Sequence, residues 1–332
     1  MKFKKILQYI VASAVIIAAV YFFYQEFKNN AEALRAYNFA IYPWPIFLSM
    51  IFGTSGFLIG PVVWQICVNN YIERKLDMQE SVALYNTSAL LKYVPGKIWT
   101  YAAQITLLSE RGISNTLVVY INLISFVCLF FVSIANALFY YLIILKVTPL
   151  VISVLIFILL IALDFIFITW NAPILNLIII PLGRLFKVEI EPIKMKKRIF
   201  VYVQMLYFVA YAYLGAALYF LAKGIGMNIP FFNIFAIMAT ISLSALMGYI
   251  AFFSPGGLGI REGTMFMMLR QFSTVEVALI LPLAARILCI MSDLLLGSVG
   301  MYVGLRYGYF PGKINIRQKE IIEEKTEVDT NL

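Results

Sequence analysis

Two short proline-glycine stretches contain the residues best suited to bind a ligand. The first is Pro95-Gly96-Lys97 within LLKYVPGKIW, with Lys92 and Trp99 close by. Two ammonium groups beside the free N–H groups of a helix start would attract a phosphate or carboxylate headgroup. The alternative is that Lys92 and Lys97 extend to the membrane surface among aromatic residues. This stretch is therefore half of a ligand site or an interface anchor.

The second stretch is Pro255-Gly256-Gly257-Leu258-Gly259-Ile260-Arg261-Glu262-Gly263, the most specific string in the chain. Its closely spaced glycines allow backbone conformations closed to other residues and let a ligand approach the main chain. Arg261 and Glu262 place a cation and an anion at the start of the next helix, where Glu262 also favours the positive end of the helix dipole. The alternative is a capping pair that closes a surface loop. Because the string lies in an apolar context, we favour a binding role.

A third set of charges lies inside apolar runs. Arg286 and Asp293 are seven residues apart and therefore share one face of the last predicted helix, whereas Asp164 lies in an earlier span. A lone charge near the bilayer centre costs roughly 2.5 to 3.5 kcal/mol on insertion scales, so each needs a partner or a wet cavity. The set forms either an ion pair between two spans or part of a substrate site.

Composition places these residues in a membrane protein. Of the 332 residues 62% are hydrophobic, which predicts an all-α polytopic membrane protein and excludes a soluble enzyme. The chain has no histidine, and its three cysteines lie far apart, so we predict neither a metal site nor a cofactor. The net charge of +9 is concentrated at membrane ends and in a basic loop over 183–198, which is typical of cytosolic edges and not of nucleic-acid binding.

Hydropathy predicts about six full spans and two segments of another kind. The predicted spans are 6–24, 44–68, 117–145, 150–170, 199–222 and 275–306. Segment 81–93 covers only about 20 Å as a helix and cannot cross a core of about 30 Å. We expect it to enter the membrane, break at Pro95-Gly96 and return through 99–108 as a re-entrant pair.

Segment 230–253 leaves two topologies open. It is long enough to span, and a chain of seven to eight spans would then leave the C-terminal tail outside. That tail carries Lys313, Arg317 and Lys319 near the membrane, which disfavours an outside position. If 230–272 is instead a second re-entrant pair, broken at Pro255-Gly256-Gly257, both termini are cytosolic.

A comparison within the chain favours the second topology. The residues Ser88-Ala89-Leu90-Leu91-Lys92-Tyr93 precede the first break, and Ser244-Ala245-Leu246-Met247-Gly248-Tyr249 precede the second. We therefore predict a first membrane half over 1–147, a second over 148–310 and a cytosolic charged tail over 311–332. The two halves would form an inverted repeat, an arrangement found in secondary transporters.

The strings KYVPGKIW and FSPGGLGIREG, about half a chain apart, resemble those of the lysylphosphatidylglycerol synthase transmembrane-region family, also called flippase-like domains. The resemblance covers nearly the whole chain. In well-known members this module moves an aminoacylated phospholipid between leaflets, while a separate domain makes the lipid. Because the sequence ends 22 residues after Phe310, the resemblance implies a stand-alone module without lysyl transfer. The motif positions that match are Pro95, Gly96, Lys97, Pro255, Gly256, Gly257, Gly259 and Glu262.

These observations lead us to expect a translocase that moves a lipid between leaflets in the biogenesis of the cell envelope. Its partner would be a lipid with an anionic or aminoacylated headgroup, or a polyprenyl-linked glycan, in the inner (plasma) membrane. One alternative is an integral-membrane enzyme acting on such a headgroup through Glu262 or Asp164. Another is an accessory subunit of a separate synthase or glycosyltransferase.

Overall fold

The computed structural model describes residues 17, 21, 23–37, 40–73, 75–94, 98–109, 111, 113–144, 149–171, 173–177, 180, 196–227, 229–251 and 254–310. Over these ranges the chain is helical, contains no strand and has six helices long and apolar enough to cross a membrane. The prediction of an all-α polytopic membrane protein is therefore confirmed. The predicted span 6–24 and the basic loop lie largely outside the described residues, as do Pro95-Gly96-Lys97 and the whole tail.

The helices follow the apolar runs of the sequence. We number them α1 Ala31–Ala36, α2 Pro43–Asn69, α3 Met78–Ala89, α4 Ile98–Ser109, α5 Asn115–Leu138, α6 Leu150–Thr169, α7 Lys197–Gly224, α8 Ile234–Ile250, α9 Ile260–Leu269 and α10 Val275–Arg306. Short 3₁₀ turns occupy Leu90–Tyr93, Phe231–Asn233 and Pro255–Gly257, and a π-helical turn over Phe139–Ile144 extends α5. The long helices begin and end within a few residues of the predicted spans.

Helices α2 and α7 pack along each other at the centre of the bundle. The contact is close because α2 presents small residues to α7: Ser49 donates a hydrogen bond of 2.7 Å to the carbonyl of Ala217. A Cβ atom on Gly56 would lie 3.0 Å from Cγ of Leu214. Small residues that let backbones approach are the usual means of packing helices in a membrane. This pair joins the N-terminal half of the described chain to the C-terminal half.

Helices α3 and α4 form a hairpin whose two ends lie together. The side chain of Asp77 caps α3 by accepting from the backbone N–H of Glu80 at 2.6 Å. Nε of Arg111, just after α4, lies 2.6 Å from Oε1 of Glu80. Nη2 of Arg111 also donates to the carbonyl of Tyr309 at 2.7 Å, which places the end of α10 there. We call Glu80, Arg111 and Tyr309 the end clasp.

Burial and the neighbouring carboxylates of Asp77 and Glu80 raise the pKa of the Tyr309 phenol above its ordinary value. The phenol therefore stays protonated over the physiological range and can donate to Oδ2 of Asp77 at 3.4 Å. This contact adds a second tie between the end of α10 and the start of α3.

Helices α8 and α9 form a second hairpin, and its ends lie at the other end of the bundle. The ring of Phe235, at the start of α8, contacts Phe139 with centroids 5.6 Å apart. Met268, at the end of α9, accepts a hydrogen bond from Tyr141 at 2.9 Å. Both contacts are made to the same π-helical turn. Because α10 runs from this end to the end clasp, the two hairpins enter the bundle from opposite ends.

After α8 the chain reverses direction at the turn Pro255–Gly257. By length and composition Phe231–Ile250 could span a membrane, as the alternative topology supposed. After the turn α9 runs beside α8, with the Ser244 hydroxyl donating to the carbonyl of Arg261 at 3.0 Å. The re-entrant and the crossing topology of α8 both stay predictions.

Glycines on α10 allow the first hairpin to lie directly against it. A Cβ atom on Gly300 would lie 3.0 Å from the carbonyl oxygen of Val82 and 3.1 Å from Cβ of Asn86. A Cβ atom on Gly297 would overlap the side chain of Leu90. Close packing here brings the tip of the first hairpin to the middle of α10.

Candidate functional site

The tips of the two hairpins meet beside the middle of α10. The turn Leu90–Tyr93 ends the first arm of one hairpin, and the turn Pro255–Gly257 connects the arms of the other; the two turns contact each other. Arg286 and Asp293 of α10 face them, so the shared helix face predicted from their spacing is observed.

The first tip is held by Asp293. Nζ of Lys92 lies 2.7 Å from the Asp293 carboxylate, and the Tyr93 hydroxyl donates to Oδ2 of the same carboxylate at 2.5 Å. Only 9% of the Asp293 side chain is exposed, compared with 30% for Lys92. The ammonium group also lies 5.5 Å from the ring centroid of Phe57 on α2. A buried carboxylate thus has both a cation and a hydroxyl donor.

The second tip depends on glycine. Gly256, Gly257 and Gly259 have φ angles of 56°, 76° and 82°, in the left-handed region that other residues rarely adopt. Gly256 also has no room for a side chain, because a Cβ atom there would lie 2.8 Å from Nη2 of Arg286. Nη1 of Arg286 donates to the Gly256 carbonyl at 3.0 Å. The predicted close approach to the main chain is therefore made here by an arginine of α10.

Glu262 has two partners in the structure. One carboxylate oxygen accepts from the backbone N–H of Gly259 at 2.7 Å and so caps α9. The other lies 3.6 Å from Nε of Arg286. The capping alternative is thus observed, and the same buried side chain is also part of the charged group at the tips. Whether it binds a ligand stays a prediction.

Arg261 lies apart from Glu262 despite being adjacent in sequence. Its guanidinium carbon lies 5.5 Å from the ring centroid of Tyr249. Its side chain passes over two glycines: a Cβ atom on Gly248 would overlap the Arg261 side chain, and a Cβ atom on Gly257 would lie 3.0 Å from Nε of Arg261. Its Nε atom is buried and has no hydrogen-bond partner within the described part of the protein. Arg261 is therefore a half-buried cation with a buried Nε atom, and it has no ion-pair partner among the described residues.

A cavity of about 280 Å³ lies between the tips and the helices around them. The first hairpin, α2, α5, α7, α8 and α10 all contribute to its wall. Its polar and charged lining includes Lys92, Arg261, Asp293, Asn86, Thr100 and Gln104. Nδ2 of Asn86 and Oγ1 of Thr100 are buried without a hydrogen-bond partner among the described residues. The cavity thus combines charges with donors that the protein itself leaves unused.

The structure brings together most of the predicted residues that it describes, but it separates Asp164 from them. The carboxylate of Asp164 on α6 accepts a hydrogen bond of 2.6 Å from Gln204 on α7, and it forms no ion pair with Arg286 among the described residues. A neutral amide on an adjacent helix already supplies a partner. Trp99, at the start of α4, is 43% exposed and does not line the cavity.

Several residues at or beside the cavity were not among the predicted site residues, and two tyrosines are the most informative: Tyr249, which lines the cavity, and Tyr93, at the first tip. Tyr93 lies under Arg286 with the guanidinium carbon 5.6 Å from the ring centroid, and Tyr249 lies under Arg261 in the same way. These tyrosines occupy matching positions in the two related segments of the sequence. The internal match was therefore a usable signal for both. Lining residues from α2 and α7, such as Gly60 and Tyr207, had no comparable signal.

A bundle of membrane-length helices around a charged cavity is the architecture of a multi-pass membrane protein. The chain belongs to the family of the lysylphosphatidylglycerol synthase TM region, whose model matches residues 9–297. The resemblance of the two proline-glycine strings is confirmed, and the match extends over both hairpins. The protein is thus an integral membrane protein of lipid biology. No curated protein matches the chain at a significant level.

Proposed function

We propose that the protein is a lipid translocase that moves a polar or charged headgroup between membrane leaflets. The observation that carries the proposal is the meeting of two hairpins, from opposite ends of the bundle, at a cavity lined by Lys92, Arg261 and Asp293. A headgroup that passes between leaflets needs a polar site that either side can reach in turn. The lipid tails would remain in the bilayer.

In this proposal both hairpins are re-entrant. The arm formed by α3 and its 3₁₀ turn covers about 25 Å, less than the hydrocarbon core of about 30 Å. The two arms of each hairpin also begin and end at the same end of the bundle. The contact of Arg111 with Glu80 supports this for the first hairpin, and the contact of Tyr141 with Met268 supports it for the second. Irregular backbone at membrane depth is tolerated where protein or a wet cavity surrounds it, which fits the two tips.

Translocation would proceed by breaking the contacts between the tips and α10 alternately. In the described conformation Lys92 and Tyr93 hold Asp293, while Arg286 holds the Gly256 carbonyl. A headgroup that engages the cations would compete with these contacts and loosen one tip. If the contacts of one tip with α10 broke while those of the other tip remained, the cavity would open toward one leaflet.

The orientation we propose places both termini in the cytosol of a cell with this protein in its plasma membrane. The end clasp then lies on the cytosolic side together with the charged loop that contains Lys75 and Asp77. The end that contains Tyr141 and Met268 faces outward. The excess of basic residues in the loop 183–198 and near the C-terminus agrees with this orientation.

The direct test is leaflet transfer in proteoliposomes that contain a headgroup-labelled phospholipid. Lys97→Ala and Glu262→Ala should each lower the transfer rate at least about tenfold, the loss expected when a charge contact worth about 1.4 kcal/mol is removed. Glu262→Gln, which keeps an acceptor for the Gly259 N–H group, should lower transfer as well. Glu32→Ala changes an exposed glutamate in α1 and should leave the rate unchanged.

Folding of each variant is checked by its elution as a monodisperse peak and by its unfolding temperature. Unchanged transfer in folded Lys97→Ala and Glu262→Gln proteins would refute the role of the tips. Equal transfer in protein-free liposomes would refute translocation itself.

A further inference from the structure

Cationic side chains outnumber carboxylates around the cavity in the part of the chain that the structure describes. Lys92 and Arg261 line the cavity together with Asp293, and Arg286 lies just beyond them, paired with Glu262. Three cations therefore face two carboxylates. At neutral pH the described site has an excess of positive charge in a region of low dielectric constant, where such an excess is felt strongly.

The carboxylates are already engaged, whereas one cation is not. Asp293 lies 2.7 Å from Lys92, and Glu262 lies 3.6 Å from Arg286 while also capping α9. Arg261 makes no ion pair with any described residue. Its guanidinium group instead makes a cation–π contact with the ring of Tyr249. Arg261 is half-buried, and a partly desolvated cation without an anion is unfavourable unless a ligand or water compensates it.

Unused hydrogen-bonding groups of the same cavity also point to an acceptor. Nε of Arg261, Nδ2 of Asn86 and Oγ1 of Thr100 are buried and have no partner within the described ranges. Two of these three can only donate, and a hydroxyl can donate as well. A ligand that satisfies them must therefore present several acceptor oxygens.

We infer that the cavity binds a phosphate-bearing headgroup of net negative charge and discriminates against a headgroup with an added aminoacyl ammonium. The inference rests on the proposed lipid-translocase function and specifies its substrate class. A phosphodiester offers acceptor oxygens and a negative charge that match the planar donor array of an arginine such as Arg261. An ammonium group would bring only donors and would be repelled by Lys92 and Arg261, and both carboxylates of the described site are already paired.

The size of the cavity further limits the headgroup. Its volume of about 280 Å³ is at the lower end of ligand-pocket volumes, which run from roughly 300 to 1,000 Å³. A phosphate with a small substituent such as glycerol fits this space. A long oligosaccharide does not fit in the described conformation.

The test compares three short-chain lipids binding to the purified full chain in neutral detergent, measured by isothermal titration calorimetry. Dihexanoyl phosphatidylglycerol is anionic, dihexanoyl phosphatidylcholine is zwitterionic, and dihexanoyl lysylphosphatidylglycerol has a net positive headgroup. We expect the anionic lipid to bind at least about tenfold more tightly than the lysylated one. Equal affinity, or tighter binding of the lysylated lipid, would overturn the inference.

Variants at Arg261 connect this preference to the cavity. Arg261→Gln should reduce the ratio of the two affinities by about tenfold, and Arg261→Lys should retain most of it because the charge remains. Arg270→Gln is the matched control, since it removes an exposed arginine from the far end of α9. If a monodisperse Arg261→Gln protein kept the full preference, the preference would not come from this cavity and the inference would fail.

Two further experiments are needed. Binding of a soluble phosphate distinguishes a lipid headgroup from a free phosphate, and lipid transfer distinguishes the headgroup preference from the translocase function. Soluble glycerol phosphate should bind far more weakly than the lipid, and soluble binding without lipid binding would overturn the lipid source. Anionic preference in a protein that transfers no lipid in proteoliposomes would refute translocation but support the inference. Transfer of lysylated lipid in preference to anionic lipid would support translocation and overturn the inference.

Discussion

Lys92, Tyr93 and Asp293 form a charged group in which each member needs the others. The Asp293 carboxylate is nearly buried and accepts from both the ammonium and the phenol. Removing only one member of such a group leaves an uncompensated charge, whereas replacing both charged partners can be nearly neutral. Arg286 has a similar position at the second tip, where it contacts both Glu262 and the Gly256 carbonyl.

A double-mutant cycle should detect this coupling. Lys92→Met and Asp293→Asn should each lower the free energy of unfolding, and the double variant should lose less than the sum by about 1 to 3 kcal/mol. The measurement is reversible unfolding in mixed micelles. Lys28→Met, at an exposed lysine, provides the control and should combine additively with Asp293→Asn. Additivity in the Lys92 cycle as well would show that the ion pair contributes no coupling.

At the scale of the helices, small residues decide which elements can lie together. Gly56 lets α2 approach α7, and Gly297 and Gly300 let α10 approach the first hairpin. The second of these contacts sets the position of the first tip, because the turn Leu90–Tyr93 follows directly on α3. A change at Gly300 would therefore alter the cavity as well as stability.

Gly300→Val should destabilise the fold by about 1 to 3 kcal/mol, the usual cost of overpacking. Its side chain would press on the backbone of Val82, which cannot move aside as a flexible side chain could. Gly263→Ala is the matched control, since a Cβ atom there meets nothing within 4 Å and alanine is the better helix former. Thermal unfolding in detergent measures both. A Gly300→Val protein as stable as the control would mean that α3 and α10 are not in close contact.

At the scale of the whole molecule, the two hairpins have opposite directions and share one helix. Their first-arm serines have comparable positions: Ser88 accepts from Gln104 on the returning arm at 3.3 Å, and Ser244 donates to the Arg261 carbonyl. The inverted repeat, with its division between residues 147 and 148, stays a prediction. The family match over residues 9–297 covers both hairpins.

Cysteine labelling in whole cells should establish the topology of α8. In a background without the native cysteines, Phe232→Cys and Ser273→Cys should both react with a membrane-impermeant maleimide from outside. Phe232 is 90% exposed, and both positions flank the second hairpin. Lys75→Cys should react only after permeabilisation, which controls for leakage. Reaction of positions 232 and 273 from opposite sides would show that α8 crosses the membrane and that the hairpin is not re-entrant.

The sequence by itself determined the helical class, the approximate bounds of the long helices that the structure describes and the unusual backbone of the second proline-glycine string. These features are local: apolar runs report membrane depth, and a cluster of glycines reports an unusual backbone. The spacing of Arg286 and Asp293 was enough to place them on one helix face. The shared pattern from Ser88 to Tyr93 and from Ser244 to Tyr249 pointed to related hairpins.

Only the tertiary structure decided which charges meet. Arg261 and Glu262 are adjacent in sequence but have different partners, because successive residues of a helix point in different directions. Asp164 accepts a hydrogen bond from the Gln204 amide on α7, whereas the sequence suggested Arg286 on α10 as its partner. Lys92 and Asp293 are 201 residues apart, and no local pattern encodes their contact. Pairing across such a distance depends on how whole helices pack, which here is set by glycines on α2 and α10.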